Sequence, residues 1–116
     1  MGVQHAQGWA SCPLTQNGCL RILSLPGYPN SQPAARVAER LAQAVADPSH
    51  QFWPDALSLL DPGRLAWRHI LGSRQITDTY LLALAVEHDA CFVTLDQGVS
   101  LLAVPAAQKK NLLTLA

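Results

Sequence analysis

Charge is what this sequence has least of. Only 14% of its 116 residues are charged, eight basic against eight acidic, so the formal net charge is zero. A neutral chain excludes broad electrostatic adhesion to nucleic acid; any such contact must come from a local patch of arginines and lysines. The three cysteines, Cys12, Cys19 and Cys91, are an odd number without a C-x-x-C pair. With four scattered histidines they make no zinc spacing, and they read as reduced, buried thiols. No basic segment followed by an apolar run opens the chain, and Ala6 stands where a myristoylation site needs Ser or Thr. The longest apolar stretch ends at Glu87, His88 and Asp89, well short of a membrane span. A soluble cytoplasmic protein with no membrane contact is expected.

Apolar residues, by contrast, make up 49% of the chain, which excludes disorder and supplies one layered core. No internal repeat or linker divides it, so residues 1–116 read as a single domain. Trp9–Cys12 reads as a short buried strand halted by Pro13, with Thr15 capping a helix through Ser24. After the loop Pro26–Asn30, a helix begins near Ser31 and Pro33. Its apolar residues Ala34, Val37, Ala38, Leu41, Ala42 and Val45 follow helical spacing, and Asp47-Pro48 closes it. Gln51–Trp53 is a brief strand, Asp55 caps a short helix with Leu57, Leu59 and Leu60, and Arg64–Leu71 forms another turn or two. The segment Asp78–Val86 is apolar nearly all round, as a helix buried against a sheet should be. Cys91–Leu95 and Leu112–Leu115 complete the strands. Short apolar strands alternating with helices imply an α/β fold with a parallel sheet flanked by helices. Ligand sites then lie at the edge where the strands end.

Two acids punctuate that pattern. Asp78 opens an apolar helix after Thr77, and Asp96 ends an apolar strand in Val93-Thr94-Leu95-Asp96. Each taken alone also fits a capping or turn role. Brought together at one sheet edge, two carboxylates suit a hard divalent cation, which removes their mutual repulsion. Arg74, four residues before Asp78, is placed to contact a phosphate or simply to face solvent. Arg21 has the same alternatives or an acid to pair with. Arg64, Trp67 and Arg68 form either a basic-aromatic contact or ordinary packing.

Four blocks in order carry more information than the acids do. They are Trp9-Ala10-Ser11-Cys12-Pro13-Leu14-Thr15-Gln16-Asn17-Gly18 with Leu20-Arg21-Ile22-Leu23, then Phe52-Trp53-Pro54-Asp55, then Gly72–Ala85, and finally Thr94-Leu95-Asp96-Gln97-Gly98. Together they closely resemble the PIN-domain toxins of the VapC type, from about Trp9 to Gly98. The resemblance implies a PIN-like parallel sandwich and a magnesium-dependent endoribonuclease neutralised by an antitoxin protein, often as a homodimer. It assigns Asp78 and Asp96 as catalytic and metal-binding acids, with Thr77 and Thr94 as hydroxyl residues near them. The family's site has four acidic positions. Its second is here Gln16, which brings no charge and cannot act as a general base. Its first strand, which carries another acid, and the helix after it are absent from this sequence. The pattern therefore implies an N-terminally incomplete PIN-like domain with impaired or no activity. Its runner-up is a degenerate domain that binds an antitoxin or a homologous chain. Trp9–Cys12 and Cys91–Leu95 would then pair directly, leave a gap, or recruit a strand from another chain.

Overall fold

The computed structural model describes residues 2–5, 8–94 and 98–115, the first four by backbone alone. In chain order the described elements are β1 (Gly2–His5), β2 (Gly8–Ser11), α1 (Pro13–Leu23), α2 (Ala34–Val45), β3 (His50–Phe52), α3 (Arg74–Glu87), β4 (Cys91–Thr94) and β5 (Leu112–Thr114). Short 3-10 turns lie at Trp67–His69, Leu101–Ala103 and Lys109–Asn111. The chain divides into two compact units, residues 7–55 in one and residues 1–6 with 56–116 in the other.

In the unit of residues 7–55, β2 and β3 pair in parallel, with Trp9 opposite His50 and Ser11 opposite Phe52. Gly8 makes this pairing possible. Its φ of +153° and lack of a side chain let the Trp9 N–H reach the Ser49 carbonyl, where any Cβ would collide with that oxygen. Strand β2 ends at Ser11 and Pro13 is the first residue of α1, a position that needs no N–H. Thr15 is not the N-cap residue but the third residue of the helix, where its Oγ1 accepts the N–H of the N-cap residue Cys12 at 2.9 Å. Helix α2 packs on α1 and β3. Of its apolar stripe only Val37 is buried; Leu41 and Val45 are half-buried, and Ala34, Ala38 and Ala42 are exposed. Asp47 then turns the chain into β3, its Oδ1 accepting from Ser49 N at 2.8 Å and Ser49 Oγ at 2.7 Å. These two bonds hold its carboxyl below the ordinary carboxylate value.

In the other unit β4 is flanked by β1, antiparallel, and by β5, parallel. The antiparallel strand corrects the expectation of a wholly parallel sheet. It also supplies a neighbour for β4 that the sequence reading did not foresee: residues 2–5 lie along it, with Gly2 opposite Val93 and Gln4 opposite Cys91. A four-residue strand with one apolar residue has no pattern by which to be recognised. Helix α3 packs against β4 and buries seven consecutive residues, 79–85, as its all-round apolar sequence requires. Phe92 of β4 is fully buried, and Leu65, Val99, Ala103 and Val104 are buried core residues of the same unit. Asn111 is buried as well, donating from Nδ2 to Ala90 O and accepting from Gln108 N, both at 2.8 Å.

One expected helix, the one that Asp55 was to cap, is not there. Residues 54–58 have no regular structure, and Leu57 and Leu59 are half-buried while Ser58 and Leu60 are exposed. Between Pro54 and Pro62 the chain closes a turn instead, with the Asp61 N–H donating to Ser58 O at 3.3 Å. The Arg64–Leu71 segment contains one short turn, Trp67–His69.

Candidate functional site

Helix α3 begins a turn earlier than Thr77. Backbone bonds from Gln75 N to Gly72 O and from Ile76 N to Ser73 O wind the chain before Arg74 is passed. Thr77 is therefore an exposed residue inside the helix, not its N-cap, and Asp78 is the fifth helical residue, half-buried. The helix dipole acts mainly on the first turn. Capping and dipole effects thus account for little of why an acid stands at position 78. Arg74 is exposed at the helix start.

Gln75 ties this helix end to two other segments. Its Oε1 accepts the Leu71 N–H at 2.7 Å, and its Nε2 donates to the Gly98 carbonyl at 3.0 Å. Thr94, at the end of β4, is buried, and its carbonyl accepts the Leu115 N–H at 2.9 Å. Asp96, the second expected acid, lies outside the described residues, as do Leu95 and Gln97. Among the described residues no three of His, Cys, Asp and Glu gather as a metal site.

Gln16 lies in the other unit, on α1. Its Nε2 donates to Ser11 Oγ at 3.0 Å, and Ser11 Oγ is 2.7 Å from His50 Nε2. The Trp9 ring covers the same imidazole, with centroids 4.4 Å apart. With Gln16 donating, the serine proton is free to go to the imidazole, and the amide carbonyl is turned away from Ser11. Neither Ser11 nor His50 was singled out in the sequence, because their partnership depends on β2 pairing with β3.

The cysteines are free thiols. Burial pushes the Cys12 thiol up from its ordinary value, against the Thr15 hydrogen bonds and with help from Asp55. Burial raises Cys91 too. Thiols held neutral are poor ligands and poor nucleophiles. Oxygen donors are what the start of α3 offers, the Asp78 carboxylate and the Thr77 hydroxyl, and that chemistry fits a hard divalent cation. One described carboxylate is by itself a partial set. Of the basic-aromatic group, Arg64 is committed to structure, pairing with Glu87 at 3.2 Å and Asp61 at 3.6 Å. Trp67 and Arg68 remain exposed, with Arg68 Nε donating to His69 Nε2 at 3.2 Å. Arg21 is exposed in the last turn of α1.

Three described helices and short parallel strands make this an α/β protein, consistent with a PIN-like domain. Comparison by sequence gives the family directly. The chain is 46% identical over 112 residues to Ribonuclease VapC44 of Mycobacterium tuberculosis, covering 97% of this chain and 79% of that protein. It is 38% identical over 93 residues to Ribonuclease VapC29 of the same organism, covering 80% and 65% of the two chains. With Ribonuclease VapC38, also from M. tuberculosis, identity is 39% over 97 residues, covering 83% and 67%. The chain belongs to the VapC ribonuclease family. No family model matches it, and no solved structure does.

Proposed function

We propose that this chain is a toxin-type, magnesium-dependent endoribonuclease whose cation is held by Asp78 and Asp96. The observation that carries the reading is the place of Asp78: a half-buried carboxylate on the second turn of α3, beyond the reach of a capping role. Membership of a family of named ribonucleases supports it. A bound magnesium would polarise the scissile phosphate and lower the pKa of an attacking water. The chain's own residues then divide the remaining work. Asp78 and Asp96 bind and orient the cation, the Thr77 and Thr94 hydroxyls flank those acids, and Arg74 takes a phosphate of single-stranded RNA. Gln16 stands at a position where the family carries an acid, and its amide brings no negative charge. An antitoxin protein is the expected partner, a homodimer the expected assembly and the cytoplasm the expected location. No described helix is long and apolar enough to cross a membrane.

A second reading is favoured by one further observation. The apolar stripe of α2 is largely uncovered, beside a cavity of about 620 Å³ lined by residues such as Cys19, Leu23, Tyr28, Val37 and Leu41. A domain that binds an antitoxin or a homologous chain without catalysis would use such a face. RNA cleavage separates the two. The enzyme reading expects magnesium-dependent cleavage that falls at least 100-fold in Asp78→Asn, of the order seen when a group central to charge stabilisation is removed. Wild-type protein with neither cleavage nor a magnesium-dependent thermal shift would leave only the binding module.

A further inference from the structure

We infer that Trp67 is a stacking platform for a base of single-stranded RNA, with Arg68 beside it to take a phosphate. That role rests on the reading that this chain acts on RNA, and not on where its cation lies. Of the three tryptophans, two are occupied by the fold. Trp53 is buried, its Nε1 donating to Gln51 Oε1 at 3.1 Å, and the Trp9 ring lies against His50. Trp67 is 46% exposed, which gives up stabilisation that burial of an aromatic ring supplies. Backbone bonds hold the turn that carries it. His69 N–H donates to Ala66 O at 2.9 Å and Ile70 N–H to Trp67 O at 3.0 Å, while Ala66 N–H reaches the Ala103 carbonyl at 2.8 Å. The turn Trp67–His69 thus packs on the turn Leu101–Ala103. A face held in place loses little freedom when a base settles on it.

Charge decides which partner fits. From Pro62 to Thr77 the chain carries three arginines and no acid. Arg64 is neutralised by Asp61 and Glu87. Arg68 and Arg74 are exposed, and neither meets a carboxylate among the described residues. Arg68 gives its Nε–H to His69 Nε2, which leaves its Nη1 and Nη2 groups for an anion. Arg74 lies seven positions after Trp67, at most about 25 Å away even in extended chain. A strand of about ten nucleotides, at about 3.4 Å or more each, spans that distance. An aromatic face flanked by unpaired guanidinium groups matches the bases and phosphates of such a strand. An apolar protein face would have to bury those guanidinium groups without a counter-charge.

The test is binding of a fluorescein-labelled, mixed-sequence RNA of about ten nucleotides to the full chain in EDTA, so that the RNA survives. Wild type is compared with Trp67→Leu, Trp67→Phe and Arg68→Gln, each with its melting temperature and sedimentation mass. Loss of one stacked base predicts about 5–150-fold weaker binding for Trp67→Leu, with an unchanged salt slope. Trp67→Phe keeps a π-face and should stay within about threefold of wild type. In that variant RNA should no longer quench tryptophan emission, as it does in wild type. Arg68→Gln should reduce the slope of log K against log salt by about 0.7. Equal affinity in Trp67→Leu and wild type overturns the inference. Leu102 on the adjoining turn is also exposed, so a lowered sedimentation mass alongside that equal affinity would assign the face to a second copy. A wild type that binds and cleaves RNA beside an indifferent Trp67→Leu spares the ribonuclease reading. Binding that depends on Trp67, in a wild type that cleaves nothing with magnesium, does the reverse. If wild type neither binds nor cleaves RNA, both fall together. Should Trp67→Leu fail to fold, the emission of Trp67→Phe and the slope of Arg68→Gln decide.

Discussion

Gln16 shows how one side-chain atom can change what a position offers. An amide at 16 donates to Ser11, and Ser11 in turn faces His50 Nε2 at 2.7 Å, so the three residues form a chain of hydrogen bonds. A carboxylate cannot donate. In Gln16→Glu the serine proton must turn toward the new acid, and His50 must present Nε2–H to Ser11. The variant is expected to move the imidazole proton from Nδ1 to Nε2, read by the nitrogen chemical shifts of His50. Unchanged nitrogen shifts would mean that Ser11 still donates to the imidazole and that the new acid leaves this chain of bonds alone. Sequence could identify Gln16 as a departure from its family, since that needs only the flanking Thr15 and Asn17. It could not identify Ser11 and His50 as what the amide binds, because they lie 39 positions apart and meet only through strand pairing.

Elements with strong periodicity were legible, and those made by pairing or by single polar contacts were not. Helices α2 and α3 and strands β2, β3, β4 and β5 follow from apolar spacing and from proline and glycine punctuation. Strand β1 has no such signal, and its antiparallel course depends on the free edge of β4. The leucines at 57, 59 and 60 invite a helix, yet between Pro54 and Pro62 the chain makes a turn from Ser58 to Asp61. The capping place expected for Asp78 is off by one helical turn: Gln75 and the Gly72–Ser73 carbonyls start the helix first. Asn111 is the clearest case of an unreadable contact. Its buried amide holds the turn at Lys109–Asn111 to the end of the α3–β4 connection through Ala90. Asn111→Leu keeps the size and leaves the Ala90 carbonyl and the Gln108 N–H without their partner. At about 1–3 kcal/mol for each such group, the variant should lose roughly 2–4 kcal/mol, the Gln108 group being only part-buried. A lowered urea midpoint at constant slope would register that loss; a midpoint within 0.5 kcal/mol of wild type, roughly the size of an ordinary surface change, would rule the clamp out.

At the scale of the whole molecule, net charge limits how RNA is held. Eight basic residues balance eight acidic ones, and several of the cations are already engaged. Arg64 faces Asp61 and Glu87, and Lys110 faces Asp89 at 2.7 Å. Binding through a general positive field is therefore closed to this protein, unlike binding through a cation and a few local arginines such as Arg74. The two modes differ in salt dependence. Each phosphate neutralised on a single strand contributes about −0.7 to the slope of log K against log salt. One to three contacts give about −0.7 to −2, whereas a broad basic surface making six gives about −4. Measured on Asp78→Asn, so that the RNA survives, the slope is expected in the shallow range, and Arg74→Ala should reduce it by about 0.7. A steep slope insensitive to Arg74 would place RNA on a surface unrelated to α3. It would also separate where this family member holds its substrate from where its acids stand.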